Sequence, residues 1–142
     1  MTGKPVVYET THRIAFSELD PFQHLNTGSY ARYFTDHRME GLAKYAGWDL
    51  AALGSQGFMT WIRHMEIDFH RPVNADQEIT ITSFVREFHG PDAMIECTMT
   101  DAAGTTLATC LMVVAHVDAS TRRATDWPAE HEALFFEEDD GP

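Results

Sequence analysis

Basic residues are scarce in this chain. Lysine and arginine total 10 against 22 aspartates and glutamates, a formal charge of −12 over 142 residues. That balance excludes non-specific binding to nucleic acid or to anionic membranes, both of which need clustered cations. It also requires any phosphorylated substrate to be met by a local basic group. Cysteine is nearly absent. Cys97 and Cys110 form no metal or redox motif, and each lies in an apolar, strand-like run. They read as buried free thiols, with a disulfide as the alternative if those strands pair. No apolar run approaches the ~20 residues of a membrane span, and Met1 to Pro5 lack the apolar core of a signal. A soluble, cytoplasmic protein is the expectation. Repeats, linkers and low-complexity segments are missing too. This leaves one domain over residues 1–142, with a core at about 12–128 and an acidic tail at 129–142. A Gly-rich phosphate loop, a nucleophilic serine elbow and His-Glu-x-x-His zinc spacing are all lacking.

What is present alternates in pattern. Thr11 to Phe16 read as a first strand, and a loop follows from Ser17 to Asn26. The spacing of Tyr30, Tyr33, Phe34, His37, Gly41 and Tyr45 predicts a helix from about Gly28 to Ala46 with one apolar stripe. Gly41 weakens that helix relative to alanine, which close approach to a packed sheet would justify. Gly47 is its natural C-cap. Trp48 to Gly57 form a connector with helical tendency at Asp49 to Leu53. Period-two alternation then predicts strands at Phe58–Phe69, Glu78–Phe88, Ala93–Thr100 and Thr105–Val117, joined by short turns. In the first of these, Met59, Trp61, Met65, Ile67 and Phe69 share one face, and His64, Glu66, Asp68 and His70 the other. Alternate residues on a strand lie about 6.6–6.8 Å apart, so those four polar residues cannot share one ion. They read as a polar outer face, and no metal is expected. Trp127-Pro128 reads as a packed anchor. Strand, long helix and four short-turn strands predict an α+β fold: a curled antiparallel sheet of about five strands wrapped around one long central helix.

The most informative stretch runs from Phe16 to Tyr30. Asp20-Pro21 opens a turn, because proline fixes its own φ and pushes Asp20 out of the α region. Asn26 and Thr27 are good N-cap types. The helix that follows directs its unpaired amides and positive dipole end back towards Asp20. An acid beside such a helix end is the minimum equipment for attack on a carbonyl.

Three segments then combine: Phe16 to Pro21 with His24-Leu25-Asn26, Tyr30 to Phe34 and Arg38; Met65 to Val73; and Asp101 to Gly104 with the apolar strand after it. Across them the chain resembles the hotdog-fold 4-hydroxybenzoyl-CoA thioesterase and acyl-CoA thioesterase family. The resemblance covers about residues 12 to 128. It implies thioester hydrolysis, with Asp20 as the catalytic carboxylate and amides nearest Thr27 and Gly28 polarising the thioester oxygen. Asp20 then either attacks the carbonyl, forming an acyl-enzyme anhydride, or accepts a proton from an attacking water. The implied substrate is an acyl-CoA, with CoA part of the substrate and no separate cofactor. An acyl-carrier-protein substrate and non-catalytic acyl-CoA binding are the alternatives. A homodimer or homotetramer with the site at the dimer interface is also implied. The family's Gly-His-Val-Asn-Asn signature reads Gln23-His24-Leu25-Asn26-Thr27 here. Hotdog hydratases want histidine five positions after the aspartate, whereas His24 is four after Asp20, which counts against that branch.

Further binding candidates come from residue chemistry. His24 and Asn26 lie in the loop itself. Phe22, Phe58, Met59 and Trp61 are candidates to shape an acyl pocket. Arg71, Arg122 and Arg123, with Arg63 and Arg86, offer guanidinium forks suited to phosphate oxygens. Glu18 reads as a solvated loop residue.

Overall fold

Alternation produces the strands. In β3 (Glu78–His89) Ile79, Ile81 and Val85 are buried, and in β4 (Asp92–Thr100) Ala93, Ile95, Cys97 and Met99 are buried. These inward residues form the floor of a core, because one face of an antiparallel sheet must be covered. The computed structural model describes residues 3–138. Its remaining elements are β1 (Tyr8–Arg13), α1 (Ser29–Ala46), α2 (Leu50–Gly54), β2 (Phe58–Phe69), β5 (Thr106–Asp118) and α3 (Ala129–Glu132). All strand pairs are antiparallel, in the order β1-β3-β4-β5-β2, and α1 lies over the concave face. Among the described residues, no helix is long and apolar enough to cross a membrane.

Helix α1 covers the sheet with Tyr30, Tyr33, Phe34, His37, Arg38 and Gly41. Gly41 is required by contact: a Cβ there would sit 2.3 Å from Cδ2 of the fully buried Tyr8 ring. His37 lies 2.7 Å from Thr10 Oγ1 and 2.6 Å from Ser83 Oγ, so it ties the helix to β1 and β3. Gly47, at φ 71, ends the helix, and Trp48 N donates to Leu42 O at 3.0 Å.

The structure corrects three expectations. The first strand runs from Tyr8 to Arg13, and Phe16–Glu18 is a 3-10 turn. Its partner β3 begins at Glu78, opposite Arg13, so the ladder ends there, with one further bond from Ile14 N to Gln77 O at 3.4 Å. In β2 the two-residue period breaks at Arg63, where a bulge separates Ile62↔Val114 from His64↔Val113. One extra residue flips the faces. Phe58 is buried and Thr60 and Ile62 face the helix side, whereas Met59 and Trp61 point outward, Trp61 being 64% exposed. Met65 and Ile67 return inward beyond the bulge. Finally, residues 129–136 are not a solvated tail. Phe135 and Phe136 are buried and Val6 N donates to Phe135 O at 2.9 Å, because the burial of two adjacent aromatic rings outweighs the flanking acids. Asp139 and Asp140 lie outside the described residues.

Cys97 and Cys110 stand directly opposite each other on β4 and β5 and are both buried free thiols.

Candidate active site

The Asp20 turn is built by its own side chain. Oδ1 accepts hydrogen bonds from Phe22 N at 2.8 Å and His24 N at 3.0 Å, while Gln23 N donates to Asp20 O at 3.0 Å. This is the local Asx closure that aspartate before proline favours. It engages one carboxylate oxygen, and Oδ2 has no protein donor among the described residues. The loop is then sewn to the segment before β3: Leu25 N donates to Val73 O at 2.8 Å and Ala75 N to Gln23 O at 3.1 Å.

Asn26 joins the loop to α1. Its amide and its Nδ2 both donate to Glu18 O, at 2.8 and 2.9 Å, and its Oδ1 accepts from Ser29 N at 3.1 Å. Asn26 is therefore the side-chain cap of the helix. Gly28 already has helical backbone, with φ −67 and ψ −22. The amides of Thr27 and Gly28 have no protein acceptor among the described residues and sit at the positive end of an 18-residue helix. Glu18 corrects the solvated reading: it is 5% exposed, and its carboxylate accepts from Arg32 and from the Tyr33 hydroxyl. It pins the loop to the first turns of α1.

These elements enclose a cleft of about 280 Å³ lined by Asp20, His24, Thr27, Tyr30, Phe69 and Arg71, among others. Tyr30, which the helical stripe alone does not mark as a site residue, stands one turn after the Asn26 cap. Burial raises its hydroxyl pKa above the ordinary phenol value, the Val73 backbone opposes that rise, and the Asp20 charge adds to it. The Tyr30 hydroxyl is thus a protonated group close to the acid. Phe69 packs edge-on against it, with ring centroids 4.8 Å apart.

The other candidates lie elsewhere. Phe22 is 78% exposed on the turn, outside the cleft. Phe58 is buried at the opposite end of β2, stacked on His116 at 4.6 Å. Met59 and Trp61 face outward. Arg122 and Arg123 are exposed in the turn after β5, beside Phe58, about 36 Å of strand from Phe69 in the same chain. That turn is closely built: Asp118 Oδ1 accepts from Ser120 N and Thr121 N, and Arg122 is left-handed at φ 62. Among the described residues, no group of three or more His, Cys, Asp or Glu could hold a metal ion.

Comparison with known proteins agrees with this geometry. A family model described as the thioesterase-like superfamily matches residues 14–135. The long-chain acyl-CoA thioesterase FadM of Escherichia coli is 22% identical over 117 residues, 82% of this chain and 87% of that protein. Among solved structures, protein SAV2348 from Staphylococcus aureus in complex with CoA superposes with a TM-score of 0.82 at 14% identity, covering 92% of this chain and 82% of that one. The probable thioesterase YbaW from Escherichia coli gives 0.79 at 20% identity, covering 89% and 95%. These likenesses establish the hotdog fold. With the family match spanning the acid-bearing loop, α1 and all but the first strand, the chain belongs to the thioesterase-like superfamily and is a thioester hydrolase.

Proposed function

We propose that the protein hydrolyses acyl-CoA thioesters to the free acid and CoA, with Asp20 as the catalytic carboxylate. The observation that carries this reading is the shared cleft: Asp20, whose Oδ2 accepts no protein hydrogen bond among the described residues, and Thr27 just before α1 line the same space. A thioester carbonyl seated there meets an acid on one side. On the other, the Thr27 and Gly28 amides are available to the developing oxyanion. The thiolate leaves, and water supplies the second carboxylate oxygen of the product. Asp20 acts either by forming an anhydride or by taking the water's proton. His24 and Tyr30 border the reacting carbonyl, and Asn26 holds the amides in place. No cofactor is needed beyond the CoA of the substrate.

Arg71 stands between this cleft and a neighbouring polar one, lined by Asn74, Gln77 and Asp101. That position suits CoA phosphates. Strand β2 is a bare twelve-residue edge with Trp61 and Ile62 exposed, the kind of edge that pairs with another copy. A two-fold axis makes such pairing antiparallel. It brings the partner's Arg122–Arg123 turn towards the Phe69 end of β2, where Asp20 and Arg71 lie. We therefore propose a homodimer, or a homotetramer built from it, in the cytoplasm, with phosphate handles from both protomers.

The test is thiol release, read together with thermal shift, over a panel of acyl-CoAs. Hydrolysis of at least one class is expected. Stabilisation by acyl-CoAs with no thiol released would replace hydrolysis with plain binding.

A further inference from the structure

We infer that Cys97 and Cys110 form a site of reversible oxidation, in which a peroxide converts the two facing thiols into one disulfide, with Cys97, beside Arg38, as the attacking sulfur. The inference is independent of the thioesterase reading. The two cysteines are direct Cα partners on β4 and β5. Facing residues of an antiparallel ladder have Cα atoms about 4.5–5.5 Å apart. That lies inside the span of about 4.4–6.8 Å that a disulfide bridges. Both thiols are free and buried. They belong to one inward row that crosses the sheet: Tyr8 on β1, Ser83 on β3, Cys97 on β4 and Cys110 on β5.

A second observation separates Cys97 from an inert core thiol. Arg38 of α1 is buried over this row. It donates to Ser83 Oγ at 2.9 Å, and its guanidinium carbon lies 4.3 Å from the Tyr8 ring centroid. No carboxylate pairs with it among the described residues. A buried guanidinium without an anion is costly. The acidic groups that act on it are Tyr8 and Cys97. Burial keeps the Tyr8 hydroxyl protonated. The Cys97 thiol is brought below its ordinary pKa, chiefly because the Cys110 thiol donates to it; burial opposes this, and Arg38 and Ser83 add to it. Cys110 is pushed upward by the same bond and keeps its proton. The row therefore holds a nucleophilic sulfur with a protonated thiol bonded to it. Ile95 and Met112 are the next inward pair along the two strands, about 6.6–6.8 Å away. With Arg38 they line a cavity of about 70 Å³. A site needs about 10–15 Å³ to admit one water molecule, so this one admits a peroxide. The Cys97 thiolate attacks a peroxide oxygen, the O–O bond breaks, and a sulfenic acid forms as hydroxide leaves. The hydroxide takes up the proton that Cys97 gave up, making water. The Cys110 sulfur then attacks the Cys97 sulfur. The S–S bond forms, the S–O bond breaks, and the Cys110 proton departs with the hydroxyl as a second water. Two thiols lose two electrons, and the peroxide gains them.

The experiment treats the full chain with excess hydrogen peroxide while circular dichroism verifies that it stays folded. Thiols are then counted after denaturation and alkylation, and peptides are mapped. Both thiols should disappear, a Cys97–Cys110 linked peptide should form within single chains, and dithiothreitol should restore both thiols. Dimedone, which traps sulfenic acids, tests the order of attack. Cys110→Ser should take the label on Cys97. Cys97→Ser should take at least about tenfold less on Cys110, because that sulfur lacks the donor and the guanidinium. Arg38→Met should slow the loss of thiols at least about tenfold in the folded protein. If Arg38→Met does not fold, the labelling of the two cysteine variants decides the question. Thiols that survive in the folded chain and are lost only in urea overturn the proposal. So do equal labelling of the two cysteines, disulfides that link separate chains, and an unchanged rate in folded Arg38→Met.

Discussion

Gln23 holds a left-handed backbone, φ 66, at the position where the thioesterase signature has glycine. A side chain in that region costs about 1–2 kcal/mol, and glycine gives back about 0.5–1 kcal/mol through the freedom of the unfolded chain. Gln23→Gly is therefore expected to stabilise the protein by about 0.5–1 kcal/mol, a rise of roughly 3 °C in Tm. A fall in Tm would mean that the glutamine side chain supports the loop. The residues of this loop differ in how far the sequence reveals them. Asp20, Asn26 and the helix start are legible because their partners lie within a few positions, so turn and cap chemistry decides them. Glu18 is not: its carboxylate partners, Arg32 and Tyr33, come more than a dozen residues later, and only the folded loop brings them within reach. Tyr30 sits between these cases, hidden in an apolar stripe yet one helical turn from the cap.

At the scale of elements, α1 is held to the sheet by a polar contact inside an apolar interface. His37 is fully buried between Thr10 and Ser83. Burial, aided by the nearby Arg38 and His12, lowers its pKa to about 3. The folded state therefore binds fewer protons than the unfolded state below the usual histidine pKa of about 6.5. The stabilisation is present above that value and is lost as pH falls towards about 3. Each pH unit in that window removes up to about 1.4 kcal/mol. Urea melts of wild type and His37→Gln between pH 7 and pH 4 should diverge, with the variant showing the shallower fall. Parallel profiles would show that other groups govern the acid limb. The element order was legible because alternation runs unbroken through β4 and from Glu78 to Val85 of β3, and short turn signals separate the strands. The faces of β2 were not, because the bulge at Arg63 leaves no mark in composition: both halves still alternate, one residue out of phase. The C-terminal segment was hidden for a different reason. Its acids dominate the count, but Phe135 and Phe136 decide the packing.

For the whole molecule, the proposed dimer places a partner copy antiparallel along the bare edge of β2, which carries its Arg122–Arg123 turn towards Asp20. Light scattering should show at least a dimer. Mixing Asp20→Asn protomers with Arg122→Glu/Arg123→Glu protomers should restore activity, because about one quarter of the sites then combine an intact acid with the other chain's arginines. No gain after verified subunit exchange would assign those arginines elsewhere. All of this depends on the carboxylate that borders the α1 start. The most direct measurement is thiol release by Asp20→Asn from the acyl-CoA of the panel that wild type hydrolyses fastest, with circular dichroism to verify the fold. A loss of at least about 10²-fold with an unaltered spectrum is predicted. A folded variant hydrolysing within a few fold of wild type would contradict the account.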